Sequence, residues 1–166
     1  MLDQQQKQQI LQEYAPILSR VATSYEANAA MAQELSQEMC LAVWQSLSKF
    51  KGNSSVKTYI YRVAHNKGVS HVAYHANRPK HADMSEHSMD IACSTNVETT
   101  VSSNQQIQEL LTAVRNLSMS SRQVLTMSME GLSYQEIGEV MGMNTNQVGV
   151  ILNRAKKQVK KVLNYE

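Results

Sequence analysis

Asn146, Val150, Asn153, Arg154, Lys157 and Lys161 fall on one side of a helix when residues 145–163 are placed at about 100° per residue. Amides and a guanidinium pair with base edges, valine can touch a thymine methyl, and ammonium groups suit phosphate. No acid interrupts that face, so it fits DNA better than the bland alternative, a solvated charged face on an ordinary bundle helix. A second group, Tyr59, Arg62, Asn66 and Ser70, recurs at i, i+3, i+7 and i+11 beside the lysine-bearing loop KGNSSV, residues 51–56. Stacking, base-edge hydrogen bonding and phosphate charge together are what an unpaired strand requires. A tyrosine half-buried among ordinary surface residues would read the same way. A third group, Glu34, Gln37, Glu38, Leu41 and Gln45, lines up carboxylates, amides and one outward leucine in the manner of a protein-docking surface. There is no glycine-rich phosphate loop, no Ser/His/Asp order with supporting context and no metal-ligand spacing, so enzyme chemistry is the weak contender and no cofactor is expected.

The elements that must hold these groups are all helical. Between Gly131 and Leu163, Ser133 with Glu136 and Asn144 with Gln147 form two capping boxes eleven residues apart. Ile137, Val140 and Met141 give the first of these helices an apolar face, and Gly142 ends it in a left-handed conformation. The result is a helix-turn-helix whose second helix turns Val148, Leu152, Ala155, Val159, Val162 and Leu163 toward a core. Upstream, helices are expected over about 4–23, 27–48 and 56–75. Pro16 either kinks the first or marks its true start, and the glutamine-rich opening is assigned no structure. Leu35, Met39, Val43 and Leu47 form the buried stripe of the second. Ser54 or Ser55 caps the third, which leans Ile60, Val63, Ala64 and Lys67 inward. From about Gln105 a further helix with Ile107, Leu110, Leu111, Val114 and Leu117 supports the helix-turn-helix, and Ser120 with Gln123 caps another.

The formal charge of +2 conceals segregation. Residues 1–48 carry five acids against Lys7 and Arg20, whereas residues 49–80 carry seven bases and no acid. Residues 78–104 are rich in Ser, Thr, Asn and His and too poor in large apolar groups to offset their ordering entropy, which reads as a flexible linker. The architecture expected is therefore all-α, two small helical modules (residues 1–77 and 105–166) on either side of that linker. His71 and His75 lie one turn apart, but without a neighbouring Cys or acid cluster solvated histidines are the default and no metal site is expected. Cys40 and Cys93 read as plain thiols. No run approaches a membrane span and no signal-peptide core is present, so no membrane insertion and a cytoplasmic location are expected.

The runs AQELSQEMCLAVWQSLSKFKGNSSVKTYIYRVAHN (residues 32–66) and EGLSYQEIGEVMGMNTNQVGVILNRAKK (residues 130–157) resemble bacterial RNA polymerase sigma factors of the extracytoplasmic-function group, matching that family's regions two and four in order and spacing. The resemblance implies that Glu34, Gln37, Glu38 and Leu41 dock on core RNA polymerase. It implies that Lys51, Asn53, Ser54, Lys57, Tyr59, Arg62 and Asn66 open and read the minus-ten promoter element as a melted non-template strand with one base extruded. It further implies that the helix from Thr145 enters the major groove of the double-stranded minus-thirty-five element through Asn146, Gln147, Val150, Asn153, Arg154, Lys157 and Lys161. An anti-sigma factor is an implied partner. Departures are Tyr59 where the family usually has tryptophan, Val56 where phenylalanine is common, and Gly149 and Ile151 where Lys and Arg are frequent. Two other readings remain. A stand-alone helix-turn-helix regulator of LuxR type would need neither the docking stripe nor the strand strip. A pure interaction protein would use its basic helix structurally.

Overall fold

The computed structural model describes residues 1–77 and 97–164, and every regular element among them is a helix. Helix α1 (Gln4–Tyr25) opens on a capping box that the sequence pattern did not single out. Asp3 Oδ1 accepts from the Gln6 amide at 2.8 Å and Gln6 Oε1 accepts from the Asp3 amide at 3.0 Å. Glutamine is a good helix former, so once capped the opening stretch is ordered helix. Pro16 neither starts nor interrupts α1. It is exposed, as is Gln12, whose carbonyl loses its donor to the proline ring.

Helix α2 (Ala29–Leu47) is capped by Asn28 and buries Ala32, Leu35, Met39, Val43 and Leu47, the expected stripe. Each such leucine taken fully out of water contributes about 2 kcal/mol. Helix α3 (Val56–Ala76) is capped by Ser55, which accepts from the Thr58 amide at 3.1 Å. Its buried face is turned from the expected one: Ile60 and Ala64 are inside, but Val63 and Lys67 are only half-buried, and Thr58, Tyr61, His65 and Gly68 take inward positions. The reason is a polar packing unit. A Cβ on Gly68 would collide with the Tyr25 ring, so only glycine lets that ring lie on the α3 backbone. The Tyr25 hydroxyl in turn meets His65 Nδ1 at 2.6 Å. Burial lowers the His65 pKa to about 4, which keeps the ring neutral.

In the second module α4 (Val97–Arg115) begins inside the stretch read as linker, so residues 97–104 are helical. No Pro or Gly stops the helix from extending backward from the turns that Val114 anchors. Residues 78–96, with His81, His87 and Cys93, lie outside the described residues. Ile107, expected to pack, is exposed, and Leu110 and Leu111 are half-buried. Helix α5 (Met119–Met129) starts at Ser118 without a side-chain cap, so the Ser120–Gln123 box does not form. Gln123 is buried instead.

Helices α6 (Tyr134–Met141) and α7 (Thr145–Val162) both carry the expected capping boxes. Gly142 turns between them at φ 71°. The turn is so tight that a Cβ on Gly138 would stand 2.5 Å from the Met143 carbonyl oxygen. Val148, Leu152, Ala155 and Val159 are buried, whereas Val162 is 64% exposed and Leu163 half-buried. These last two border an open hollow whose α4 wall, Gln105, Gln108, Glu109, Thr112 and Ala113, is mostly polar; Leu163 still packs against the core while Val162 is left in water.

The modules pack on each other, α1 against α4 and α5, and α3 against α6. Arg20 forks onto Glu130 at 2.8 and 2.9 Å, Arg115 Nε donates to the Thr23 carbonyl at 2.9 Å, and Arg122 lies over the Tyr25 ring at 5.7 Å.

Candidate nucleic-acid interface

The Asn144 cap sets the direction in which α7 leaves the turn. Asn146, Gln147, Val150, Asn153, Arg154, Lys157 and Lys161 are all exposed, opposite the buried Val148–Leu152–Ala155–Val159 row. Val150 is 49% exposed, the one large apolar contact point on that face. Gln147 differs from its neighbours, because its Oε1 accepts from the Asn144 amide at 3.0 Å and leaves only the amide NH2 for a ligand. A Cβ on Gly149 would lie 3.4 Å from the Tyr134 ring, an ordinary contact distance, so packing does not demand glycine there.

The strip on α3 is divided. Asn66 and Ser70 are exposed, as are Lys51 and Asn53 on the preceding loop, where Gly52 takes φ 77°. Ser54 is half-buried and donates to the Ser55 carbonyl at 3.1 Å. Tyr59 is held inside its own module: its hydroxyl donates to the Ser46 carbonyl at 2.9 Å and its ring packs on Phe50 at 5.0 Å. It thus links α3 to the end of α2, as the half-buried alternative requires. Lys57 and Arg62 meet α6. Lys57 Nζ sits 2.8 Å from Glu136 Oε2, and Arg62 Nη2 donates to the Glu139 carbonyl at 2.7 Å. Thr58 Oγ1 also donates to Glu139 Oε2 at 3.2 Å. The Lys57 ammonium, helped by the Ser133 amide, holds the Glu136 carboxyl below the usual carboxylate range.

On α2, Glu34, Gln37, Glu38 and Leu41 are all exposed, Leu41 at 57%. An acidic face with one bare leucine, unpaired among the described residues, is suited to a basic, partly apolar protein surface. Elsewhere, His71 Nε2 bonds Glu26 Oε1 at 2.9 Å and its ring lies tilted against that of His75, 4.3 Å between centroids. Burial would raise the Glu26 carboxyl, but the Asn28 amide and His71 outweigh it and hold the carboxyl low. Among the described residues no group of three His, Cys, Asp or Glu is arranged to hold a metal ion. None of the described helices is long and apolar enough to cross a membrane. The seam residues Arg20, Arg115, Arg122 and Glu130 carry no signal in the sequence, since Arg20 and Glu130 stand 110 positions apart and no local pattern connects them.

Residues 10–78 match Sigma-70 region 2, and residues 107–159 match Sigma-70, region 4. The RNA polymerase sigma factor YlaC of Bacillus subtilis is 29% identical over 136 residues, 78% of this chain and 76% of that protein. The ECF RNA polymerase sigma-E factor of Haemophilus influenzae is 24% identical over 131 residues, 74% of this chain and 69% of its own length. In fold, the sigma factor RpoE of Bartonella quintana, solved with the anti-sigma factor NepR, superposes with a TM-score of 0.71 at 18% identity, over 96% of this chain and 97% of that one. With both sigma regions present in order on the two modules that bear the candidate surfaces, the chain belongs to the sigma-70 family, in its extracytoplasmic-function group.

Proposed function

We propose that this sigma factor binds core RNA polymerase through Glu34, Gln37, Glu38 and Leu41 of α2 and directs it to promoters with both modules. Residues 1–77 take the melted minus-ten strand, with Asn66 hydrogen-bonding an extruded base while Lys51, Asn53, Ser54, Lys57 and Arg62 supply polar and cationic contacts. Tyr59 acts here by bracing α3 against α2 rather than as a free stacking platform. Residues 105–166 dock α7 in the major groove of the minus-thirty-five element. Asn146, Asn153 and Arg154 read base edges, Gln147 and Val150 add contacts, and Lys157 and Lys161 meet phosphates. The work is done in the cytoplasm, and an anti-sigma factor is a partner of the kind seen with the Bartonella protein. The observation that carries this reading is the joint exposure, on one chain, of an acidic docking face on α2 and an acid-free reader face on α7.

The deciding experiment is permanganate reactivity of promoter thymines with holoenzyme containing wild-type or Asn66→Ala protein. Wild type should expose reactive thymines at the minus-ten element. The variant should retain core binding but lose most of that reactivity, and a pre-melted bubble should restore only part of the transcription. Equal reactivity would remove Asn66 as a reader, and none with wild type would overturn the assignment of strand opening.

A further inference from the structure

We infer that His71 and His75 form a binding site for a divalent transition metal of the zinc, nickel or copper class, with Glu26 orienting His71 from behind. The two imidazoles stand one turn apart on α3, and sequence alone leaves them as solvated side chains because no acid is near them in the chain. Folding supplies that acid. Glu26, where α1 ends, stands 45 positions from His71 and sets its Oε1 2.9 Å from His71 Nε2. The pair is sheltered, with 11% of the His71 side chain and 15% of the Glu26 side chain in water.

The carboxylate decides which ring nitrogen is free. Its Oε2 accepts from the Asn28 amide at 3.0 Å, so the group is anchored from its other side. A carboxylate only accepts, hence Nε2 carries the hydrogen and the lone pair of the neutral His71 ring sits on Nδ1. Protein-bound metals are commonly held by a histidine of this kind, one nitrogen donating to a carboxylate and the other on the ion, because the carboxylate fixes the ring and raises its basicity. Arg115, the cation that also acts on Glu26, directs its Nε to the Thr23 carbonyl at 2.9 Å instead.

The second donor is within reach. Two imidazoles sharing an ion at about 2 Å from each donor nitrogen have ring centres roughly 4.5–5 Å apart. The His75 ring lies 4.3 Å from that of His71 and is tilted by 55°, so a small rotation of this half-buried ring closes the site. Two protein donors leave the other coordination positions to water, in keeping with the absence of a three-ligand group among the described residues. Imidazole pairs select zinc, nickel and copper, whereas magnesium and calcium prefer oxygen donors. The bound ion cross-links one turn of α3, and Glu26 ties that turn to the corner between the end of α1 and the Asn28 cap of α2.

The test uses the full chain without an affinity tag, titrated with zinc chloride by calorimetry and followed by nitrogen NMR of the histidine rings. One zinc should bind per chain, moving the ring signals of His71 and His75 but not of the buried His65, and raising the thermal midpoint where magnesium does not. His75→Asn should lose most of the binding. Glu26→Gln, which keeps an acceptor for His71 but removes the charge, should weaken binding about tenfold. Melting curves without metal check that both variants are folded. His81→Asn combined with His87→Asn should bind as wild type does. Absence of binding by wild type overturns the site, as does binding that survives His75→Asn or is lost in the His81 and His87 double variant. Wild-type affinity in Glu26→Gln overturns the orienting role of the carboxylate.

Discussion

His65 should make this protein sensitive to mild acid. Its ring is 2% exposed, Nδ1 meets the Tyr25 hydroxyl at 2.6 Å, and Nε2 has no partner among the described residues. Burial lowers its pKa from the ordinary 6.5 to about 4. The unfolded chain therefore takes up the proton first as pH falls. The stability that goes with a neutral His65 is fully present above pH 6.5 and is lost progressively as pH falls toward 4. Each tenfold difference in proton affinity between the folded and unfolded chain is worth about 1.4 kcal/mol, so the loss over that window is about 3 kcal/mol. This is a large share of the roughly 5–15 kcal/mol typical of a folded domain. His65→Gln keeps a polar partner for Tyr25 and cannot titrate. Urea unfolding of both proteins between pH about 7 and about 4.5 should show the variant less stable at neutral pH and the gap closing on acidification. Glu26 and Glu136, whose carboxyls are held low, lose their stabilisation only at still lower pH and are common to both proteins, so they cancel in the difference. Parallel pH profiles would refute the assignment of His65 as a buried neutral ring.

Gly138→Ala should shift the helix-turn-helix turn, because the new methyl has the Met143 carbonyl 2.5 Å away. A cost of about 1–3 kcal/mol is expected, and an unchanged thermal midpoint would contradict it. On α7, Asn153→Ala and Arg154→Ala should each weaken promoter binding by about 1–3 kcal/mol and relax preference locally. Lys157→Ala and Lys161→Ala should instead weaken binding to all sequences and flatten its salt dependence, as read by fluorescence anisotropy. Identical behaviour of all four variants would dissolve the distinction. The pair Glu34→Lys and Glu38→Lys, both on the exposed face of α2, should abolish capture of core polymerase while circular dichroism stays unchanged. Retained capture would detach that face from docking.

Local rules made much of this protein legible in advance. The capping boxes at Ser133 and Asn144, the left-handed Gly142 and the 3.6-residue rows of α2 and α7 are short-range patterns, settled by hydrogen bonds three residues apart or by one helix face. The exposure of the candidate reader and docking residues follows from the same periodicity, since a row opposite a buried row must face outward. The failures have a shared cause as well. On α3 the buried row runs through Thr58, Tyr61, His65 and Gly68, because Tyr25 from another helix packs there, and polarity along the α3 sequence alone favours the wrong face. Val162 follows the apolar period of α7 yet stays exposed because the facing wall of α4 is mostly polar. The engagement of Lys57 and Arg62 by α6 was beyond reach for the same reason. Their partners lie about 80 residues away, and only tertiary packing decides which charges meet across that distance and which faces remain free for DNA.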